Sequence, residues 1–138
     1  MFDPTRDQVR EFFFETWRKY RAGLPVSGLE ALGLDIVLLH PEYHEFLSKD
    51  ENKARDFSGE GNPFLHMSLH LALEEQLSID QPPGVRASFE RLLARKGDRH
   101  DALHEAIECL AETVWRSQKD KAPPDAGLYL ECLEKRAR

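Results

Sequence analysis

Apolar residues in this chain recur at intervals of three and four, and the glycines and prolines that interrupt them fall in clusters. That spacing predicts helix in every segment between the clusters, because residues three and four apart share one side of a 3.6-residue turn. No segment shows a convincing strand pattern. The first helix is expected over Pro4 to Arg21, with Asp3 as N-cap and Pro4 at the first helical position. Val9, Phe13, Trp17 and Tyr20 share a face of it, and Gly23 and Pro25 close it. Ser27 followed by Glu30 reads as a capping box that opens a second helix, whose apolar set Leu29, Leu32, Ile36 and Leu39 runs up to His40. Pro41 then intrudes, so Pro41 to Ser48 is either a kinked continuation or a new short helix.

The polar stretch Lys49 to Gly61 reads as a loop. Asn62 before Pro63 repeats the cap-then-proline start, and Phe64 to Ile79 is apolar around most of its circumference, the mark of a central helix. Asp80-Gln81-Pro82-Pro83-Gly84 ends it. Val85, Phe89, Leu92 and Leu93 define an amphipathic fourth helix stopped by Gly97, and Asp98 caps a fifth that runs to about Lys119. After the spacer Lys121-Ala122-Pro123-Pro124, Asp125 caps a short last helix carrying Leu128, Leu130 and Leu133. The expected architecture is all-α: one domain over residues 1–138, a compact bundle of about five to six helices with short connections.

Composition narrows the function classes. The 138 residues are 41% hydrophobic and 32% charged, as expected of a globular chain that buries a core. The longest apolar stretch, Ala31 to Leu39, is broken by Gly33 and Asp35, so no membrane span is expected. Nineteen lysines and arginines against 25 acids leave a net charge of −6, which argues against nucleic acid as a partner. The start MFDPTRDQVREFFF lacks a basic region ahead of an apolar run, so no secretory signal is read and the cytoplasm is the expected location. Cys109 and Cys132 lie far from any CxxC spacing and are read as small buried apolar residues, with no structural disulfide expected. Neither GxGxxG nor GxxxxGK is present, and no nucleotide cofactor is expected.

The histidines carry the sharper signal. All six belong to pairs spaced by four: His40 with His44, His66 with His70, and His100 with His104. Random placement would give roughly 0.2 such pairs, taking 134 start positions times the residue frequencies. Two pairs extend identically, His66-x3-His70-x3-Glu74 and His100-x3-His104-x3-Glu108, each on a long predicted helix. Turned at 100° per residue, His66 and His70 fall in the arc of Leu69, Leu73 and Leu77, and His100 and His104 in that of Leu103, Ile107, Ala111 and Val114. Both pairs therefore face a core, and a buried imidazole needs a partner because each unsatisfied group costs roughly 1–3 kcal/mol.

Two readings meet that need. In one, the imidazoles bond to neighbouring acids, tyrosine or backbone carbonyls. In the other, His66, His70, Glu74, His100, His104 and Glu108 converge on a zinc, iron or manganese ion, with His44 or His40 as a further ligand. The ExxH bridge of ferritin-like proteins and the HExxH of metalloproteases are both absent.

The run Asn62-Pro63-Phe64-Leu65-His66-Met67-Ser68-Leu69-His70, followed by Glu75 to Gly84 (EQLSIDQPPG), resembles a family of short bacterial proteins known as a domain of unknown function. The FxPxRxxVRxFF-like start over Phe2 to Phe13, His40-Pro41-Glu42-Tyr43-His44 and Gly97-Asp98-Arg99-His100 are similar to the same family, so the likeness covers most of the chain. It implies a bacterial cytoplasmic protein and brings no activity or cofactor with it.

Two further features bear on partners. Arg86, Arg91, Arg95, Lys96 and Arg99 cluster around the fourth helix, where a solvated face is the plain reading and a phosphate or acidic partner the alternative. Phe12, Phe13, Phe14 and Trp17 make the first helix apolar over more than one face, a pattern that suits a protein partner or self-association. With no GxSxG and no nucleophile beside a histidine, covalent catalysis is not assigned. The sequence thus leaves a metal-binding helical bundle and a non-enzymatic interaction module with structural histidines as the two functional readings.

Overall fold

A computed structural model describes residues 6–55, 57 and 61–138. Every regular element among them is helical. The helices are α1 (Arg6–Arg21), α2 (Leu29–Leu38), α3 (His44–Leu47), α4 (Pro63–Ile79), α5 (Val85–Lys96), α6 (Arg99–Asp120) and α7 (Ala126–Arg136). Short 3-10 turns stand at Pro41–Tyr43 and Asp50–Ala54. The all-α class is therefore as expected, with seven α-helices where five to six were anticipated. The additional one is α3, because the chain restarts as a 3-10 turn and then a separate helix after Pro41. The N-cap assigned to Asp3 and the first-turn Pro4 lie outside the described residues.

Several predicted ends are observed as bonds. The Asn62 carboxamide oxygen accepts from the backbone N–H of Phe64 (2.9 Å) and Leu65 (3.3 Å) and caps α4. Asp98 Oδ2 accepts from Asp101 N–H at 2.9 Å, and Asp125 Oδ1 from Leu128 N–H at 3.1 Å. Gly97 closes α5 at φ +77°, a left-handed backbone open to glycine. The expected capping box at Ser27 and Glu30 does not form. Gly28 at φ +59° is the N-cap of α2, and the Glu30 carboxylate reaches Lys19 Nζ at 2.8 Å instead.

The chain divides into two compact units, residues 1–71 and 72–138, with the boundary inside α4. In the first, α1 packs on α2, and the core is Phe13, Phe14, Trp17, Ile36, Val37, Leu47, Phe64, Met67 and Leu71. The rings of Phe14, Phe46 and Phe64 meet one another at centroid distances of 5.5–6.3 Å. Phe12 lies over Gly33, where a Cβ would meet the ring at 2.7 Å, so α1 and α2 approach closely there. The aromatic residues of α1 thus lie within their own unit: Phe13, Phe14 and Trp17 are buried and Phe12 is half-buried. The first helix, apolar over more than one face in the sequence, is thus enclosed on more than one side within its unit.

In the second unit α5, α6 and α7 pack on one another around buried Leu73, Val85, Phe89, Leu92, Leu103, Ile107 and Leu133. Cys109 and Cys132 form a disulfide linking α6 to α7 (Cα–Cα 5.8 Å, 23 residues apart), which corrects the reading of both as free thiols. Helical periodicity places each cysteine on its own helix but carries no information on whether the two helices face each other. The basic cluster of α5 is likewise occupied. Arg91 pairs with Glu134, Lys96 with Glu105 and Arg99 with Glu74, while Arg86 donates to the carbonyls of Leu77 and Ser78 and Arg95 to that of Arg138. The Asp80 to Gly84 turn is an α5 cap: Asp80 accepts from Arg86 N–H at 3.0 Å and Gly84 N–H at 3.4 Å. Among the described residues no helix is long and apolar enough to cross a membrane.

Candidate metal centre

In the first unit three imidazoles meet. His40 follows the end of α2, and Pro41 behind it excludes the helical conformation, so His40 stands at φ −126°, ψ 70°. A helix end leaves its last carbonyls without intrahelical donors. His40 fills one of these places: its Nδ1 donates to the Ile36 carbonyl at 2.7 Å. Because a carbonyl only accepts, that bond puts the ring proton on Nδ1 and leaves Nε2 unprotonated in the neutral imidazole.

Nε2 of His40 points at Nε2 of His66, 3.1 Å away, and Nε2 of His70 lies 3.2 Å from the same His66 atom. His66 sits in the first turn of α4, directed by the Asn62 cap, and His70 is one turn further along the same face. The three offer ligand atoms within 4.8 Å of one another. His40 and His70 are 1% and 0% exposed, and His66 is half-buried. The Tyr43 ring lies parallel to that of His40 at 5.4 Å and edge-on to His66 at 6.2 Å. Burial raises the Tyr43 phenol pKa, with Glu42 adding to the effect, so the neighbouring hydroxyl stays protonated.

His44, Glu74 and Glu108 have other partners. His44 donates from Nε2 to the Val37 carbonyl at 2.8 Å and stacks on Trp17 at 4.4 Å. Glu74 is held by Arg99 at 2.9 Å, and Glu108 by Arg136 at 2.6 Å. His100 and His104, both half-buried on α6, lie edge to face with centroids 4.2 Å apart. Of the first histidine pair it is therefore His40 that enters the cluster, while His44 closes the end of α2. Proline hides this from periodicity, since the phase of the helix is lost at Pro41.

Arg10 was not singled out from the sequence. It is 3% exposed, donates from Nη1 to the carbonyls of Lys53 (2.9 Å) and Arg55 (2.8 Å), and lies over the Phe64 ring at 4.6 Å. Its bonds tie the end of the Asp50–Ala54 turn to α1, while its guanidinium lies against the first turn of α4 at Phe64. Only the position of Arg10 one residue from the Val9 face hints at burial.

The family model described as "Domain of unknown function (DUF1841)" matches residues 5–135, and the chain belongs to that family. No curated protein and no solved structure matches the chain.

Proposed function

We propose that the chain is a metal-binding protein that takes a borderline divalent ion, zinc foremost, through Nε2 of His40, His66 and His70. One observation carries the reading: three Nε2 atoms converge, with the His40 proton held on the far nitrogen by the Ile36 carbonyl. A ring nitrogen holds either a proton or an in-plane lone pair, so His66 Nε2 cannot serve as straight donor to both neighbours at once. A cation bound between the three rings would accept one lone pair from each. Zinc–nitrogen bonds of about 2.0–2.1 Å place tetrahedral ligands about 3.3–3.4 Å apart, close to the 3.1 and 3.2 Å found here. An all-imidazole set favours zinc, copper or nickel over manganese, which prefers oxygen ligands. The Ile36 carbonyl on His40 is the outer-shell partner that orients such a ligand.

Zinc titration calorimetry on chelator-treated protein, with cobalt absorption as a geometric reporter, tests the proposal. Saturable binding is expected, with a raised melting temperature, since an ion that binds only the folded state stabilises it. His70→Gln and His66→Gln should abolish it, whereas His44→Gln, Glu74→Gln and Glu108→Gln should not. His104→Ala belongs to the same series, because the second histidine repeat is the sequence's own source of a further donor. Absence of binding heat together with unchanged melting in zinc, copper and nickel would make the cluster a hydrogen-bonded one and favour the interaction-module reading.

A further inference from the structure

The Cys109–Cys132 disulfide is unlike a buried staple in one respect: both cysteines line a cleft of about 510 Å³ between α6 and α7. That volume accommodates a small molecule. The two sulfurs differ in surroundings. Cys109 is 0% exposed, while Cys132 is only half-buried, so an attacker entering the cleft approaches Cys132. Arg116, Lys135 and Arg136 stand around the same cleft, each paired with a glutamate, which leaves the mouth mixed in charge.

The bond is also not what alone holds α7 in place. Tyr129 donates to Gln76 at 2.7 Å, Glu134 accepts from Ser88 at 2.8 Å and pairs with Arg91, and Leu133 is buried. These contacts keep α7 against its unit when the sulfurs part, so the two thiols stay near enough to close again. A staple whose loss released the helix would not have that property.

We infer that Cys109–Cys132 is a reversible thiol–disulfide couple, opened by a low-molecular-weight thiol that enters the α6–α7 cleft and attacks Cys132. The attacking thiolate forms a bond to Cys132 Sγ. The Cys109–Cys132 bond breaks, and its electron pair leaves with Cys109 Sγ, which takes a proton from water. A second thiolate attacks the bound small-molecule sulfur, releasing the small disulfide and a Cys132 thiolate. Two external thiols are oxidised and the protein disulfide is reduced by two electrons.

Equilibrating the native chain in graded reduced and oxidised glutathione, quenching by alkylation and weighing the product tests this. A reversible transition between the disulfide and two alkylated thiols is expected, with the helical circular dichroism kept at both ends. In Cys109→Ser, oxidised glutathione should label Cys132, and in Cys132→Ser it should leave Cys109 unlabelled. A bond that opens only in denaturant, a reduced chain that loses helix or fails to reclose, or equal labelling of the two variants would overturn the inference. The unsubstituted chain carries the first readouts even if a variant fails to fold.

Discussion

The two units answer the same physical problem, buried polar backbone at helix ends, in opposite ways. In the first, the helical path is broken repeatedly between Leu38 and Ala54, and each break leaves carbonyls that side chains must satisfy. His40 takes Ile36, His44 takes Val37, Asn52 takes Phe46, and Arg10 takes Lys53 and Arg55. In the second, α6 and α7 open on aspartate caps and α5 closes on a left-handed glycine, and polar side chains form ion pairs between helices. The comparison teaches why the histidine cluster stands where it does. A histidine that satisfies a helix-end carbonyl with Nδ1 has its other nitrogen pinned in direction, which is the condition for a ligand.

Removing the aromatic core should break this contrast most strongly. Phe13 is wholly buried, and Phe13→Ala is expected to cost about 3–5 kcal/mol, read from urea unfolding by circular dichroism. A cost under about 1 kcal/mol would mean that the rings do not hold the first unit together. Next comes the second unit's covalent link. Closing 23 residues of chain corresponds to about 3 kcal/mol by loop entropy, so Cys109→Ser with Cys132→Ser should lower the denaturation midpoint by that equivalent while the chain stays helical.

Smaller effects sharpen the comparison at matched positions. Asn62→Ala and Asp98→Ala each remove an N-cap, and each should cost about 1 kcal/mol. The two differ in consequence: loss of the Asn62 cap loosens the turn that carries His66 and should weaken zinc binding as well, whereas Asp98→Ala should not. Equal zinc affinity in both variants would separate the cap from the cluster.

The smallest expected effect is on acidification. Glu105 is held below the ordinary carboxylate range by Lys96 and then Arg136, Glu134 by Arg91 and then Ser88, and Asp80 by the backbone N–H of Arg86 and then Gly84. A carboxylate whose folded pKa is depressed contributes stability above its unfolded value, and that stability is lost as pH falls through the folded value. All three lie in the second unit. Its melting temperature should therefore decline below about pH 4.5, and Glu105→Gln should flatten part of that decline. A profile unchanged by Glu105→Gln would show the pair to be without weight, as exposed ion pairs often are.

Much of the fold was legible before any coordinates. The caps at Asn62, Asp98 and Asp125, the stop at Gly97 and the break at Pro41 are local events, governed by bonds within a few residues, and they recur in the structure as read. The Ser27–Glu30 box failed because Glu30 had a competing cation eleven residues back, on another helix. The candidate site was half legible. His66 and His70 share a helix and a face by arithmetic, but His40 joins them from a segment whose phase proline erases, and Glu74 is taken by an arginine that spacing does not reveal.

The sequence by itself determined the all-helical class, most helix boundaries and the inward orientation of the His66 pair, because each follows from hydrogen-bond geometry and periodicity over one or two turns. Tertiary structure alone decided that Cys109 meets Cys132, that Arg10 is buried beneath two carbonyls, and that His40 and not His44 faces His66. Those outcomes depend on which helices pack against which. Contacts separated by 23 to 45 residues are set by the fit of whole faces, and no local pattern encodes them.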